Sequence, residues 1–275
     1  MLTPRSIGDV VADAIMTRAA APKAAILLVE GVKDERLMRP RCRETTQIIR
    51  CDGKTTLKGS LARIESVGIR GVVALEDDDG DSLLGTALDS ANLIRTASRD
   101  SESMLLSSPA FEAVATELAQ RRTVPQCEAA LGSSLRDSLV NRCLPLGRLR
   151  FIDKMRDLGV PFDRLSPHRY MDNGWTFNED QLLKDFVEAS GLAEATVMTE
   201  LQSLPLVDSW KLIHGKDAIW IFWLLNASIL GGHNLSQDEL TMMLRLAYLD
   251  EFFALTTTFH EMKQWQESSG FLILK

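Results

Sequence analysis

The chain predicts an α/β fold, a mostly parallel Rossmann-like sheet flanked by helices, with a mainly helical C-terminal domain. Three observations predict it. Ala25-Ile26-Leu27-Leu28-Val29 runs without a polar residue into Glu30-Gly31, and Gly71-Val72-Val73-Ala74-Leu75 runs into Glu76-Asp77-Asp78-Asp79-Gly80-Asp81. A strand covered on both faces reads as such a continuous apolar run. Between residues 25 and 110 strand patterns alternate with helical ones, the signature of βαβ units and a parallel sheet. From Pro109 onward the pattern becomes mainly helical. The expected division is therefore 1–108 for the sheet domain with its N-terminal helix and 109–275 for the helical domain.

Taken in order, Ile7, Val10, Val11, Ala14 and Ile15 fall at helical spacing within residues 1–23 and predict a helix beside the first strand, ended by Pro22. After Glu30, Lys33 to Met38 reads as the start of a helix. Thr46 to Cys51 reads as a second strand closed by Asp52-Gly53. Leu57, Leu61 and Ile64 predict a helix over Thr55 to Ser66, and Asn92 to Thr96 a fourth strand. A helix is expected to begin within Ser98-Arg99-Asp100-Ser101-Glu102.

The helical half is expected to hold helices over Phe111 to Arg122, Cys127 to Val140 and Leu149 to Leu158, with Val160 to Leu165 as a hairpin arm. Further helices are expected over Glu179 to Ala189, Leu192 to Leu201, Asp217 to Leu230, Ser236 to Leu249 and Glu251 to Glu267. Ser190-Gly191 breaks the first two apart, and Ser236 with Glu239 spells a capping box. The run Trp220-Ile221-Phe222-Trp223-Leu224-Leu225 is apolar all round, which marks either a core helix or a partner interface such as a homodimer.

A content of 45% hydrophobic and 25% charged residues is that of an ordinary globular protein. The net charge of −7 argues against binding nucleic acid through bulk positive charge, so any such contact must be local. Arg121, Arg122, Arg136, Arg142, Arg148 and Arg150 make the middle of the chain locally basic. No apolar run approaches the roughly 20 residues of a membrane span and no secretory leader pattern opens the chain, so the expected location is cytoplasmic, away from membranes. Cys42, Cys51, Cys127 and Cys143 show no C-x-x-C spacing, which predicts free buried thiols.

In open α/β sheets chemistry gathers beyond the carboxyl ends of the strands. If the two apolar strands are parallel neighbours, Glu30, Asp77 and Asp79 converge at one edge. Such carboxylates repel one another by roughly several kcal/mol unless a cation sits among them, and hard oxygen donors suit Mg²⁺ or Mn²⁺. Glu76, Asp78 and Asp81 read as solvated loop acids. A calcium-binding helix-loop-helix starting at Asp77 fails, because Ser82 and Leu88 stand where its Gly and Glu belong. A haloacid-dehalogenase-type phosphatase would use Asp77 as nucleophile and Asp79 as acid, but leaves Glu30 without a role.

A Glu after the first strand and an Asp-x-Asp after the third resemble the TOPRIM domain of topoisomerases, primases and OLD-type nucleases. The matching residues are Leu27-Leu28-Val29-Glu30-Gly31 with Asp34, and Gly71 to Leu75 leading into Asp77-x-Asp79. Thr96-Ala97-Ser98-Arg99-Asp100-Ser101-Glu102-Ser103-Met104-Leu105-Leu106-Ser107-Ser108-Pro109 looks like the T-x-x-x-D-x-E-x-x-L-L-x-S-P stretch of a TOPRIM family that includes the effector nuclease of the PARIS anti-phage system. Cys51-Asp52-Gly53-Lys54, Gly147-Arg148-Leu149-Arg150 and Gly215-Lys216-Asp217 resemble its other landmarks. The chain departs from it at Lys216, where the family usually has His, and at Glu76, where it has an apolar residue.

The resemblance implies metal-dependent phosphodiester cleavage. Asp77 and Asp79 would ligate Mg²⁺ or Mn²⁺, with Glu102 and Asp100 completing the site and Glu30 as ligand or base. Lys54, Arg148 and Arg150 would meet the nucleic acid. It further implies a toxic effector of abortive infection, held by an ABC-type ATPase partner and cleaving RNA, tRNA in particular, or DNA. Glu102 has a plainer reading as a first-turn acid favoured by the helix dipole. The whole chain also has one, as a non-catalytic metal-binding regulatory subunit.

Overall fold

The computed structural model describes residues 4–86, 90–172, 174–232 and 234–275. Residues 1–3 of the expected N-terminal helix segment and Leu88 of the rejected calcium loop lie outside that set. The first elements are α1 (Ile7–Ala20), β1 (Ile26–Val29), α2 (Val32–Met38), β2 (Gln47–Arg50), α3 (Lys54–Ser66), β3 (Val72–Glu76), α4 (Asp81–Leu84) and β4 (Leu93–Arg95). Then come α5 (Ser101–Ser107), α6 (Ala110–Leu118), α7 (Val124–Leu131), α8 (Leu135–Arg156), α9 (Glu179–Ser190) and α10 (Glu194–Ser203). The chain finishes with α11 (Gly215–Leu225), α12 (Gln237–Ala247), α13 (Asp250–Ala254) and α14 (Thr257–Ser269).

The chain packs as two compact units, and their boundaries differ from the expected cut after residue 108. The first holds the chain up to Asp78, Thr86–Ala97 and Asp250–Lys275; the second holds Asp79–Gly85 and Ser98–Leu249. The first unit is built on a parallel sheet of order β2-β1-β3-β4. β1 lies between β2 and β3, with Val29 opposite Arg50 on one side and Leu75 on the other. Every residue of β1 and β3 is buried, as their unbroken apolar runs predict for central strands.

The α1 helix forms, and Val10 and Ala14 join Ile26, Leu28, Leu57, Leu61 and Ile64 in one core with Val11 packed against it, whereas Ile7 and Ile15 of the expected stripe are exposed. Ser6 and Asp9 cap the helix reciprocally. The return of the C-terminus to the sheet unit is the feature that sequence periodicity misses. Thr258 Oγ1 donates to the Arg95 carbonyl at 2.9 Å, Trp265 Nε1 to Asn92 Oδ1 at 2.9 Å, and Cys42 bridges to Leu274. Gly71, at φ 73°, is held under the Phe271 ring, which a Cβ there would meet at 2.5 Å.

In the second unit the expected pieces Cys127 to Val140 and Leu149 to Leu158 are differently joined. Gly132, at φ 70°, ends α7, and a single 22-residue α8 then runs through Pro145. Pro145 costs this helix one backbone bond, while Leu135, Leu139, Cys143, Leu146, Leu149 and Ile152 carry a buried stripe past it. The expected hairpin arm is a 3₁₀ turn, Phe162–Leu165. Near the C-terminus, the expected helix Glu251 to Glu267 is divided by the cap Thr256, and a π turn, Asn226–Leu230, follows α11. All four cysteines are buried free thiols, and burial pushes that of Cys51 up to about 12. Among the described residues no helix is long and apolar enough to cross a membrane.

Candidate active site at the sheet edge

Because β1 and β3 are parallel neighbours in register, the residues that follow them emerge side by side. Asp77 donates its backbone N–H to Glu30 Oε1 at 3.0 Å. The Glu30 carbonyl in turn accepts from Gly53 N–H at 3.0 Å, in a turn where Asp52 (φ 55°) and Gly53 (φ 136°) both take left-handed conformations. That turn delivers Lys54 as the first residue of α3, and its Nζ donates to the Asp77 carbonyl at 2.7 Å. Lys54 thus braces the acidic loop, a local role that the expected phosphate contact did not include.

The run after β3 sorts itself by exposure. Asp77 and Asp79 are half-buried, like Glu30, whereas Glu76, Asp78 and Asp81 are buried. The expectation that those three are solvated acids is corrected, and the reason is pairing. Glu76 lies beneath Arg95 Nε at 2.9 Å and Lys58 Nζ at 3.3 Å, which offsets the cost of taking a carboxylate out of water. Asp78 donates its N–H to Thr96 Oγ1 at 3.1 Å. Within the second unit Asp81 pairs with Lys154 at 2.6 Å.

The remaining acids also belong to the second unit. Asp79, at φ 50°, donates its N–H to the Arg99 carbonyl at 2.7 Å, and its own carbonyl accepts from Lys154 Nζ at 2.8 Å. Asp100 is the N-cap of α5: its Oδ1 accepts from Ser103 N–H at 2.8 Å and Ser103 Oγ at 2.6 Å. Its Oδ2 accepts from Gly215 N–H, at the start of α11, at 2.7 Å. Burial raises the Asp100 pKa, with the nearby Glu102 acting in the same direction against His214. Both carboxylate oxygens thus hold two helix starts together. Glu102 is buried in the first turn of α5, where the dipole argument expects an acid, and its carboxylate accepts from Ser101 Oγ at 3.3 Å.

Two landmark segments that are remote in sequence prove to be one feature. Arg150 Nε and Nη2 grip Asp217 Oδ2 and Oδ1 at 2.6 and 3.1 Å, and the guanidinium lies 4.3 Å from the Phe162 ring centre. Burial pushes the Asp217 carboxyl up, but His214 and Arg150 outweigh it and hold it below the usual value. Glycine is required on both sides of this junction. A Cβ on Gly215 would come 2.2 Å from Asp100 Oδ1, and one on Gly147 2.6 Å from the Leu212 carbonyl oxygen. Arg150 is thus ion-paired inside the second unit, while Arg148 is exposed.

Other arginines of the basic middle serve the fold as well. Arg136 binds the Leu106 and Ser108 carbonyls and Glu112, and Arg142 the Trp175 carbonyl. Sequence reasoning assigned no role to Arg99, Lys154, His214 or Asp217. The glycines at 147 and 215 were the available signal, since each marks a close backbone approach.

As donors, the sheet-edge acids fit a hard divalent cation, and Mg²⁺ characteristically takes one or two carboxylates and keeps several waters. No group of three or more His, Cys, Asp or Glu side chains is gathered in ligand geometry among the described residues. Compared with known proteins, the chain matches no family model and shows no significant match to a curated protein.

Proposed function

We propose that the sheet edge is the active centre of a metal-dependent nuclease. The supporting observation is the side-by-side emergence of Glu30 and Asp77 from parallel neighbouring strands, joined by the 3.0 Å bond from the Asp77 N–H to the Glu30 carboxylate. Asp77 would hold Mg²⁺ or Mn²⁺, with Glu30 as a second ligand or as the base. Such an ion, when bound, lowers the pKa of water and offsets charge building on a phosphate. Glu30 takes the proton of the attacking water or hydroxyl, and Lys54, bound to the Asp77 carbonyl, keeps the loop in place.

The resemblance extends this reading to a toxic effector of phage defence. It acts on nucleic acid, with tRNA as the first substrate to try, and is restrained by an ABC-type ATPase. The test is cleavage of tRNA, single-stranded DNA and duplex DNA by the purified chain with Mg²⁺ or Mn²⁺. Cleavage lost in Glu30→Gln, in Asp77→Asn and with a chelator carries the proposal. A wild type inert on every substrate, yet still binding the ion, replaces it with the second reading of a non-catalytic metal-binding subunit.

A further inference from the structure

Within the second unit, Asp79, Arg99, Arg150, Lys154, Phe162 and His214 are among the residues lining a cavity of about 390 Å³. On its basic side, Arg150 is paired with Asp217 and Lys154 with Asp81. Arg99 is only 6% exposed, and its backbone is clamped at both ends, the N–H to the Trp210 carbonyl at 2.9 Å and the carbonyl by the Asp79 N–H at 2.7 Å. Of its side-chain donors, Nη1 binds the Leu212 carbonyl at 2.9 Å, while the buried Nε finds no hydrogen-bond partner among the described residues. Leaving a buried charged donor unpaired is costly, and a bound ion is one of the few ways a native structure offsets that cost.

Of the carboxylates near Arg99, Asp79 lines the cavity with it, and Asp100 and Asp217 are engaged elsewhere. Asp100 is taken by Ser103 and Gly215, Asp217 by Arg150, and Asp81 by Lys154. Two further acids line the cavity: Asp153, whose Oδ1 accepts the Val160 N–H at 2.8 Å, and Asp157. His214 lies 3.5 Å from Asp217, its ring placed on the same wall as Arg99.

We infer that this cavity is a phosphate-binding pocket, with the Arg99 guanidinium, whose Nη1 is held by the Leu212 carbonyl, as its principal donor and His214 as a second. The guanidinium fork and an imidazole are the donor types that phosphate oxygens take best, and the volume admits a phosphate with part of an attached sugar. Asp79 lines the same cavity, so the inference rests on the proposed function for the source of the phosphate, a nucleic-acid backbone, though not for the binding itself.

The probe is inorganic phosphate, titrated into the full chain in chelator without divalent ion and followed by ³¹P line broadening. Saturable binding is expected, weakened about tenfold or more in Arg99→Lys and in His214→Ala, and unchanged in Lys263→Ala on exposed α14. Circular dichroism checks each fold; should Arg99→Lys not fold, His214→Ala decides. No binding by the wild type, or equal binding by both pocket variants, overturns the inference. A short single-stranded oligonucleotide that competes with phosphate assigns the backbone as source. Failure to compete overturns that assignment in favour of a small phosphate ester. Cleavage absent with phosphate binding intact sinks only the nuclease reading, and the reverse result sinks only the pocket.

Discussion

The two units each contain a pair of acids at the start or end of their elements, and the pairs differ in what surrounds them. Asp100 and Asp217 are 5% and 7% exposed and are gripped from several sides: helix N–H groups and a serine hydroxyl for one, a forked guanidinium for the other. Glu30 and Asp77 are half-buried at strand ends, joined to each other by a backbone N–H. The first pair does mechanical work, closing α5, α8 and α11 on one another. The second pair keeps the exposure a reacting group needs. An acid's place at an element's end does not reveal its role; its donors and its exposure do.

The sharpest way to break this comparison is to neutralise each acid without changing its shape. Glu30→Gln and Asp77→Asn are expected to lower turnover in the proposed nuclease reaction by about a thousandfold, and to leave the urea midpoint nearly unmoved. A large loss of stability in either would place them with the structural pair. Asp217→Asn should act the other way, costing about 3 kcal/mol in urea denaturation because it leaves the Arg150 guanidinium, itself partly buried, without its charge partner. Asp100→Ala removes a cap and strands the Gly215 N–H, at about 2 kcal/mol.

The pH dependence separates the two structural acids from each other. The folded-state pKa of Asp217 is depressed, so its contribution is complete above the unfolded value of about 4 and is lost as pH falls through the lower folded value. The Asp100 value is raised, so acidification from neutrality towards about pH 4 favours the folded state at that site. Stability curves measured from pH 7 to pH 2 should lose the low-pH decline attributable to Asp217 in Asp217→Asn, and the opposite slope above pH 4 in Asp100→Asn. The smallest effect is expected at exposed Arg148, where Ala should change stability by no more than about 0.5 kcal/mol.

What could be read in advance was local. The apolar runs before Glu30 and Glu76 announced two buried strands, and the residue spacing announced α1 and α3. Pro145 concealed the continuity of α8, because the cost of a proline is local while the buried stripe that offsets it, Leu135 to Ile152, spans about five turns of helix. The return of α14 to β4 could not be read either. It rests on Thr258 and Trp265 meeting partners 163 and 173 residues away.

The sequence by itself determined where strands end in acids and which segments are helical, since those properties follow from periodicity and from each residue's own backbone preferences. Tertiary structure alone decided which acids of the run Glu76 to Asp81 are buried and paired. It likewise decided that Asp100 caps rather than stands open, that Arg150 answers Asp217, and that Arg99 keeps a donor in hand beside a cavity. The reason is physical: the state of a charged side chain is set by desolvation and by the partners within a few ångströms. In a folded chain those partners come from segments that no local pattern connects.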